Sequence, residues 1–151
     1  MCIRDSREGS AAKNFDALHA LISESPADVM FCSDDKHPDD LAIGHINLLV
    51  RRAIELGHDL FDVLRVACIN PIEHYRLNVG QLRVGDPADM IVVDDIKQWS
   101  VSATYIDGKL VAENGQSRID SVDVKPINQF HCSEKSASDF AVNVQLSLIH
   151  I

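Results

Sequence analysis

The sequence predicts a mixed α/β chain, and three observations predict it. A short, wholly apolar run from Val29 to Cys32 is flanked on both sides by segments with helical spacing. After Leu77 the texture shifts to turn residues and a β-rich run from Met90 to Val93. The stretch ATYIDGKLVAENG, 103–115, then alternates around Asp107-Gly108, a dipeptide suited to a type I′ hairpin turn.

The elements follow in order. In NFDALHALISE, 14–24, Phe15, Leu18, Leu21 and Ile22 share one face of a helix that Asn14 is placed to cap and Pro26 ends. Val29 to Cys32 has the length and composition of a buried strand. DDKHPDD, 34–40, reads as an acidic loop. GHINLLVRRAIEL, 44–56, forms a second helix with Ile46, Leu49, Val50 and Ala53 at helical spacing, and Gly57 suits the residue just past its end. Asp59 is placed to cap a third helix over LFDVLRVAC. NPIE, 70–73, reads as a fresh start, with Asn70 as N-cap, Pro71 as first helical residue and Glu73 at the third position. Trp99 and Tyr105 are expected to pack in or beside the β unit. From Ser117 to Ala141 polar residues dominate and a linker is expected. No internal repeat is visible.

Bulk properties narrow the function classes. With 151 residues and 46% hydrophobic residues, the chain can bury a core the size of one domain. A formal charge of −9 argues against a surface that holds nucleic acid phosphates or an anionic membrane. No apolar run is long enough to span a bilayer. The four cysteines, Cys2, Cys32, Cys68 and Cys132, have no CxxC pairing and read as free thiols of a cytoplasmic protein.

The two ends are expected to be foreign to the fold. Met1 to Ser6 reads as one translation of ATGTGTATAAGAGACAG, and Leu146 to Ile151 as a translation of its reverse complement. The pair resembles the transposase adapter that tags DNA for sequencing. Residues 1–6 and 146–151 are therefore set aside as adapter-derived, and 7–145 is expected to be an internal piece of a longer protein.

A strand that runs into Ser33, Asp34 and Asp35 invites two readings. Aspartates at strand ends commonly serve turns and caps through backbone hydrogen bonds. Alternatively, carboxylates at the C-terminal end of a barrel strand hold a divalent ion or carry a proton. The calcium-loop spacing is absent. His37 and His45 lie near the pair, as pocket lining or as structural groups, whereas His19, His58, His74 and His131 show no ligand spacing. Arg51-Arg52 reads as a solvated face or an ion-pair site, with anion binding the alternative.

Four blocks, REGSAAKNFDAL, FCSDDKHPDDLAIGHINLLVRRAIELG, VACINPIEHYRL and VGDPADMIVVDD, together with SASDFAV near the end, closely resemble the adenine deaminase family of the amidohydrolase superfamily. The second block is the most specific, since many amidohydrolases carry a segment like GDPADMIVVD. The resemblance implies the last part of a metal-dependent hydrolase (β/α)8 barrel over 7–79, part of a small β-sandwich domain over 80–116, and a linker or the start of the next region over 117–145, an incomplete fold overall. Val29 to Ser33 would be the eighth barrel strand. The implied reaction is metal-dependent hydrolysis of adenine to hypoxanthine and ammonia in purine salvage.

Asp34 is then the implied metal ligand and catalytic proton carrier, and Asp35 the implied substrate-binding partner of the purine. The implied cofactor is a divalent metal, manganese or iron first and zinc also possible, and the parent is implied to be a homo-oligomer. Arg7, Glu8 and Ser10 would come from the preceding strand end, as pocket lining or structural groups. The family's first-strand H-x-H and its other metal-binding residues fall before Arg7 and are missing from this sequence. A barrel needs about 250 residues, so the isolated chain is expected to be inactive and to expose apolar surface that faces the rest of the barrel. Two other readings stay open on the residues: a fragment of another amidohydrolase acting on a cyclic amide or amine, and a non-catalytic α/β interaction module.

Overall fold

A computed structural model describes residues 4–142. The chain divides into two units, Met1–Ile119 and Asp120–Ile151. In the first, β1 (Arg4–Arg7) lies parallel to β2 (Val29–Cys32), in register Arg4↔Val29 to Arg7↔Cys32. Between them run the short helices α1 (Phe15–Leu18) and α2 (Leu21–Glu24) and a 3₁₀ turn, Pro26–Asp28. After β2 come α3 (Pro38–Ile43), α4 (Ile46–Glu55), α5 (Leu60–Leu64), a π-helical turn Arg65–Ile69 and α6 (Asn70–Tyr75). An antiparallel sheet then follows in the order β3 (Met90–Asp95), β4 (Ser100–Ile106), β5 (Lys109–Glu113), β6 (Gln116–Ser117). The second unit contains one 3₁₀ turn among its described residues, Ala137–Phe140, closed by a capping box from Ser136 and Asp139.

Three consecutive residues of β2, Val29, Met30 and Phe31, are buried. A strand with one wet face would alternate, so β2 is covered on both faces, as strands of parallel sheets are. Its apolar side chains join Phe15, Ile22, Leu49, Val50, Ala53, Val63, Val66 and Trp99 in one core. The stripe of α4 is as the spacing predicts: Leu49, Val50 and Ala53 are buried, and Ile46 packs against them. Trp99 enters the same core at φ 50° and, with Val93, brings the β3–β4 edge onto the helices.

Several local expectations hold. Asp59 caps α5, its Oδ1 accepting the amides of Phe61 and Asp62 at 2.9 and 3.2 Å. Gly57 sits past α4 at φ 87°, donating to the Ile54 carbonyl. Asp107 and Gly108 both have positive φ, 50° and 73°, as a type I′ turn requires.

Others are corrected. Residues 14–24 form two helices, because the chain tightens at His19-Ala20 into i→i+3 bonds, Ile22 to His19 and Ser23 to Ala20. Asn14 makes no side-chain cap; its Oδ1 accepts the Arg7 amide at 2.6 Å and its Nδ2 donates to the Asp5 carbonyl. The 34–40 stretch is a loop only to His37, since Pro38 at the first helical position and Asp39 and Asp40 in the first turn start α3. Asn70 does not begin a separate helix, because the π turn runs straight into α6. β2 ends at Cys32, one residue short of the expected Ser33. Of residues 1–6, set aside in the sequence, Arg4–Ser6 belong to β1; ladder bonds are made by backbone and place few demands on side chains. Residues 1–3 and 146–151 lie outside the described residues.

Apolar side chains that the chain leaves exposed include Ile43, Phe61, Ile91 and Val92. Among the described residues no helix is long and apolar enough to cross a membrane. Cys32, Cys68 and Cys132 are free thiols, and Cys2 lies outside the described residues.

Candidate functional site

The parallel pairing of β1 and β2 brings two strand ends side by side, and the five residues singled out in the sequence meet there. The Glu8 amide extends the pairing by one bond to the Cys32 carbonyl, 3.1 Å. The chain beyond Glu8 folds back on itself through a Glu8↔Lys13 bridge and a Gly9 amide bond to Ala12. Past β2, Asp34 takes a left-handed conformation, φ 44°, and its amide donates to the Cys32 Sγ at 3.3 Å. This reversal turns the acidic couplet back over the end of β1.

The two aspartates then diverge. Asp34 Oδ2 accepts from Arg7 Nη1 at 2.7 Å, an ion pair with 41% of the Arg7 side chain and 33% of the Asp34 side chain exposed. Asp35 turns to the Gly9–Ala12 loop, accepting the Ala11 amide at 3.2 Å and the Ala12 amide at 3.5 Å. Desolvation raises the Asp35 carboxyl, but hydrogen bonds from Ala11, Ala12 and its own amide, with the charge of His37, outweigh it. The group is held below the ordinary carboxylate value. Gly9 is the close neighbour that makes this possible: a Cβ there would stand 1.8 Å from Asp35 Oδ1.

Ser10 links the same loop to α3. Its hydroxyl donates to Asp40 and accepts the His37 amide at 2.9 Å. His37 therefore contributes its backbone to this contact. Glu8 faces Arg52 at 3.5 Å, and Arg52 also pairs with Asp16 and lies 4.6 Å over the Phe15 ring. Arg51 pairs with Glu55 one helical turn on. Arg51-Arg52 is thus an ion-pair site. A cavity of about 410 Å³ opens beside these groups, lined by Glu8, Lys13, Ser33, Lys36, Asp40 and Arg52 among others. Asp34 does not line it.

As a metal site the donor chemistry fits in kind. Asp34 offers a hard carboxylate oxygen at a strand end, suited to manganese, iron or zinc. It does not fit in number: among the described residues no three His, Cys, Asp or Glu side chains converge to hold an ion. Sequence reasoning missed the structural work of Asp40 and of Gly9. Glycine inside the REGS block was the available signal for a close approach.

Comparison with known proteins places this geometry in a family context. The profile of the Amidohydrolase family matches residues 2–111. The chain is 54% identical over 149 residues to an adenine deaminase of Borreliella burgdorferi, covering 96% of this chain and 27% of that protein. It is 57% identical over 136 residues to one of Salinibacter ruber, covering 90% and 25%. A third, from a Sulfurovum species, is 57% identical over 146 residues, covering 95% and 27%. The chain thus spans about a quarter of the length of these curated relatives. In fold it resembles the crystal structure of a beta-aspartyl dipeptidase from Fervidobacterium islandicum, with TM-score 0.64 and 22% identity over 81% of this chain and 34% of that one.

Proposed function

The chain belongs to the amidohydrolase family, and on that premise we propose that it is part of an adenine deaminase, which hydrolyses adenine to hypoxanthine and ammonia with a divalent metal. The observation that carries this reading is the extent of its likeness to curated adenine deaminases, which takes in the whole acidic strand end. The two-sided burial of β2 and the parallel β1–β2 pair support the finer architecture. On this reading residues 7–79 are the last part of a (β/α)8 barrel, 80–116 belong to a small β-sandwich domain and 117–145 lead into the next region. Residues 1–6 and 146–151 are adapter-derived. Val29–Cys32 is the eighth strand, and the remaining metal ligands come from sequence ahead of Arg7. The full enzyme is a cytoplasmic homo-oligomer in purine salvage.

Asp34 is the group we assign to metal and to catalysis. Asp34 would hold a divalent ion, manganese or iron before zinc, which would supply the acidity that makes hydroxide available near neutral pH. Adenine C6 is a weak electrophile and ammonia a poor leaving group, so the proton taken from water has to be returned to the departing nitrogen. A carboxylate at the strand end, fixed in direction and open to solvent on one side, does both transfers. Asp35 is assigned to the substrate side. Its carboxylate holds the Gly9–Ala12 loop through two amides, and the outer lone pairs of the same oxygens are available to a purine N–H.

The test uses full-length enzyme containing residues 7–145. Asp34→Ala is expected to lose its bound metal by elemental analysis and its adenine hydrolysis by at least about 10²-fold. A variant that keeps both its ion and its rate overturns the assignment. The 151-residue chain alone is expected to show no turnover of adenine; sustained ammonia release would mean that it holds a complete site.

A further inference from the structure

We propose that Arg7 is the positioning residue that aims the Asp34 carboxylate, an inference that rests on the reading of Asp34 given above. The two residues are 27 apart in sequence and meet only because β1 and β2 pair in parallel, with Arg7 opposite Cys32. Both partners are pinned from behind. Asn14 clamps the Arg7 backbone on both sides: its Oδ1 accepts the Arg7 amide at 2.6 Å, and its own amide donates to the Arg7 carbonyl at 3.0 Å. On the other side, Asp34 stands at φ 44° with its amide on the Cys32 sulfur. Left-handed backbone is uncommon outside glycine, although Asp tolerates it better than most residues. The backbone at both ends of the ion pair is therefore fixed.

The pair is too exposed to matter much for stability; such contacts contribute little in solvent. What it does is geometric. The guanidinium is planar and rigid, and its Nη1 holds Asp34 Oδ2 at 2.7 Å while its Nη2 lies 3.8 Å from Asp5 Oδ2, so the fork sets the direction of the Asp34 carboxylate. The same fork keeps a buried Nε–H that finds no acceptor among the described residues. Buried donors are ordinarily satisfied, so this N–H stands out among the described residues.

The experiment has two arms. In full-length enzyme, Arg7→Met is expected to lower kcat by about 10–100-fold, the range for groups that orient a metal ligand, with KM for adenine within about twofold. Arg7→Lys, which keeps charge but not the fork, is expected to fall between Met and wild type, and it serves as the measured variant if Arg7→Met does not fold. In the 151-residue chain, the ¹³Cγ resonance of Asp34 is expected to move on Arg7→Met and to stay in place on Arg51→Met. Folded Arg7 variants with unchanged kcat and metal content overturn the proposal, as does a raised KM at unchanged kcat, which would make Arg7 a substrate contact. Asp34→Ala reports separately: if it leaves activity intact, the reading of Asp34 fails before Arg7 is considered.

Discussion

The side-chain amide of Asn70 donates to the Val29 carbonyl at 2.6 Å, and the same nitrogen reaches the Pro26 carbonyl at 2.6 Å. Asn70 is 4% exposed. It therefore ties the first turn of α6 to the start of the buried strand that leads to Asp34. Asn70→Leu keeps the volume but leaves two carbonyls at the strand start without this donor. It is expected to destabilise the chain by about 2–3 kcal/mol, read as a lower urea midpoint by circular dichroism. Asn70→Asp places carboxylate oxygen against carbonyl oxygen and is expected to be worse near neutral pH, with partial recovery in acid once a hydroxyl donor forms.

What was legible in the sequence divides along the distance over which each residue acts. Asp59, Gly57 and Asp107-Gly108 do their work within three or four residues, and the local pattern specifies it. Asn114-Gly115, which was not singled out in the sequence, closes the β5–β6 turn in the same way, with φ of 50° and 76°. Asn70 and Asn14 carry the chemistry of a helix cap, yet each spends its side chain on a partner set by tertiary structure. For Asn70 the partners lie 41 and 44 residues away. The acidic couplet stood out in the sequence with a turn reading and a site reading both open, and only the family resemblance favoured the second. Its internal division was not legible, because the Arg7 and Ala11–Ala12 partners depend on strand register. Among the described residues no three His, Cys, Asp or Glu side chains converge to hold an ion.

Gly9 and Asp35 give a second prediction. Gly9→Ala puts a methyl group where Asp35 Oδ1 now lies and within 3.1 Å of the Asp35 amide nitrogen. The carboxylate cannot swing aside without releasing the Ala11 and Ala12 amides. The expected cost is about 1–3 kcal/mol, the range for overpacking a fitted site. The double variant with Asp35→Ala is expected to recover part of that loss. Strictly additive effects in the cycle would show that the contact is not the cause.

Asp89 is a comparable hub in the β unit. Its Oδ2 accepts the Gly80 amide at 2.9 Å and its Oδ1 the Asp107 amide at 2.8 Å. Those two bonds hold its carboxyl below the ordinary value, against a smaller opposing effect of desolvation. A carboxyl depressed on folding adds stability that is present above its unfolded value, about 3.9, and is lost as pH falls through the folded one. Asp89→Asn turns one acceptor into a donor facing an N–H. It is expected to lower the urea midpoint at neutral pH and to flatten the acid limb of the stability profile. An unchanged acid limb would assign that limb to other carboxyls.

His19 and His58 supply the last prediction, in a pH window nearer neutral. His19 Nδ1 and His58 Nε2 are 3.0 Å apart, and His58 Nδ1 lies 2.7 Å from the Ser23 hydroxyl. One ring must offer a lone pair for the histidine–histidine bond to form, so the two cannot both be cationic there. Burial, then the charge of His19, pull the His58 value down, and Asp62 opposes them weakly. The sign follows by linkage: the unfolded chain binds the proton more tightly than the folded one. The contribution of His58 is therefore complete above the ordinary histidine value of about 6.5 and is lost as pH falls below it toward the folded value. Urea midpoints measured from about pH 8 to about pH 5 are expected to decline across that window. His45 declines in the same direction, through burial and the nearby Lys36, so the comparison with His58→Gln is what isolates the pair. The Gln variant, which bonds Ser23 without titrating, is expected to show a shallower decline. A slope equal to wild type would place the pH dependence elsewhere and leave the His19–His58 contact energetically silent.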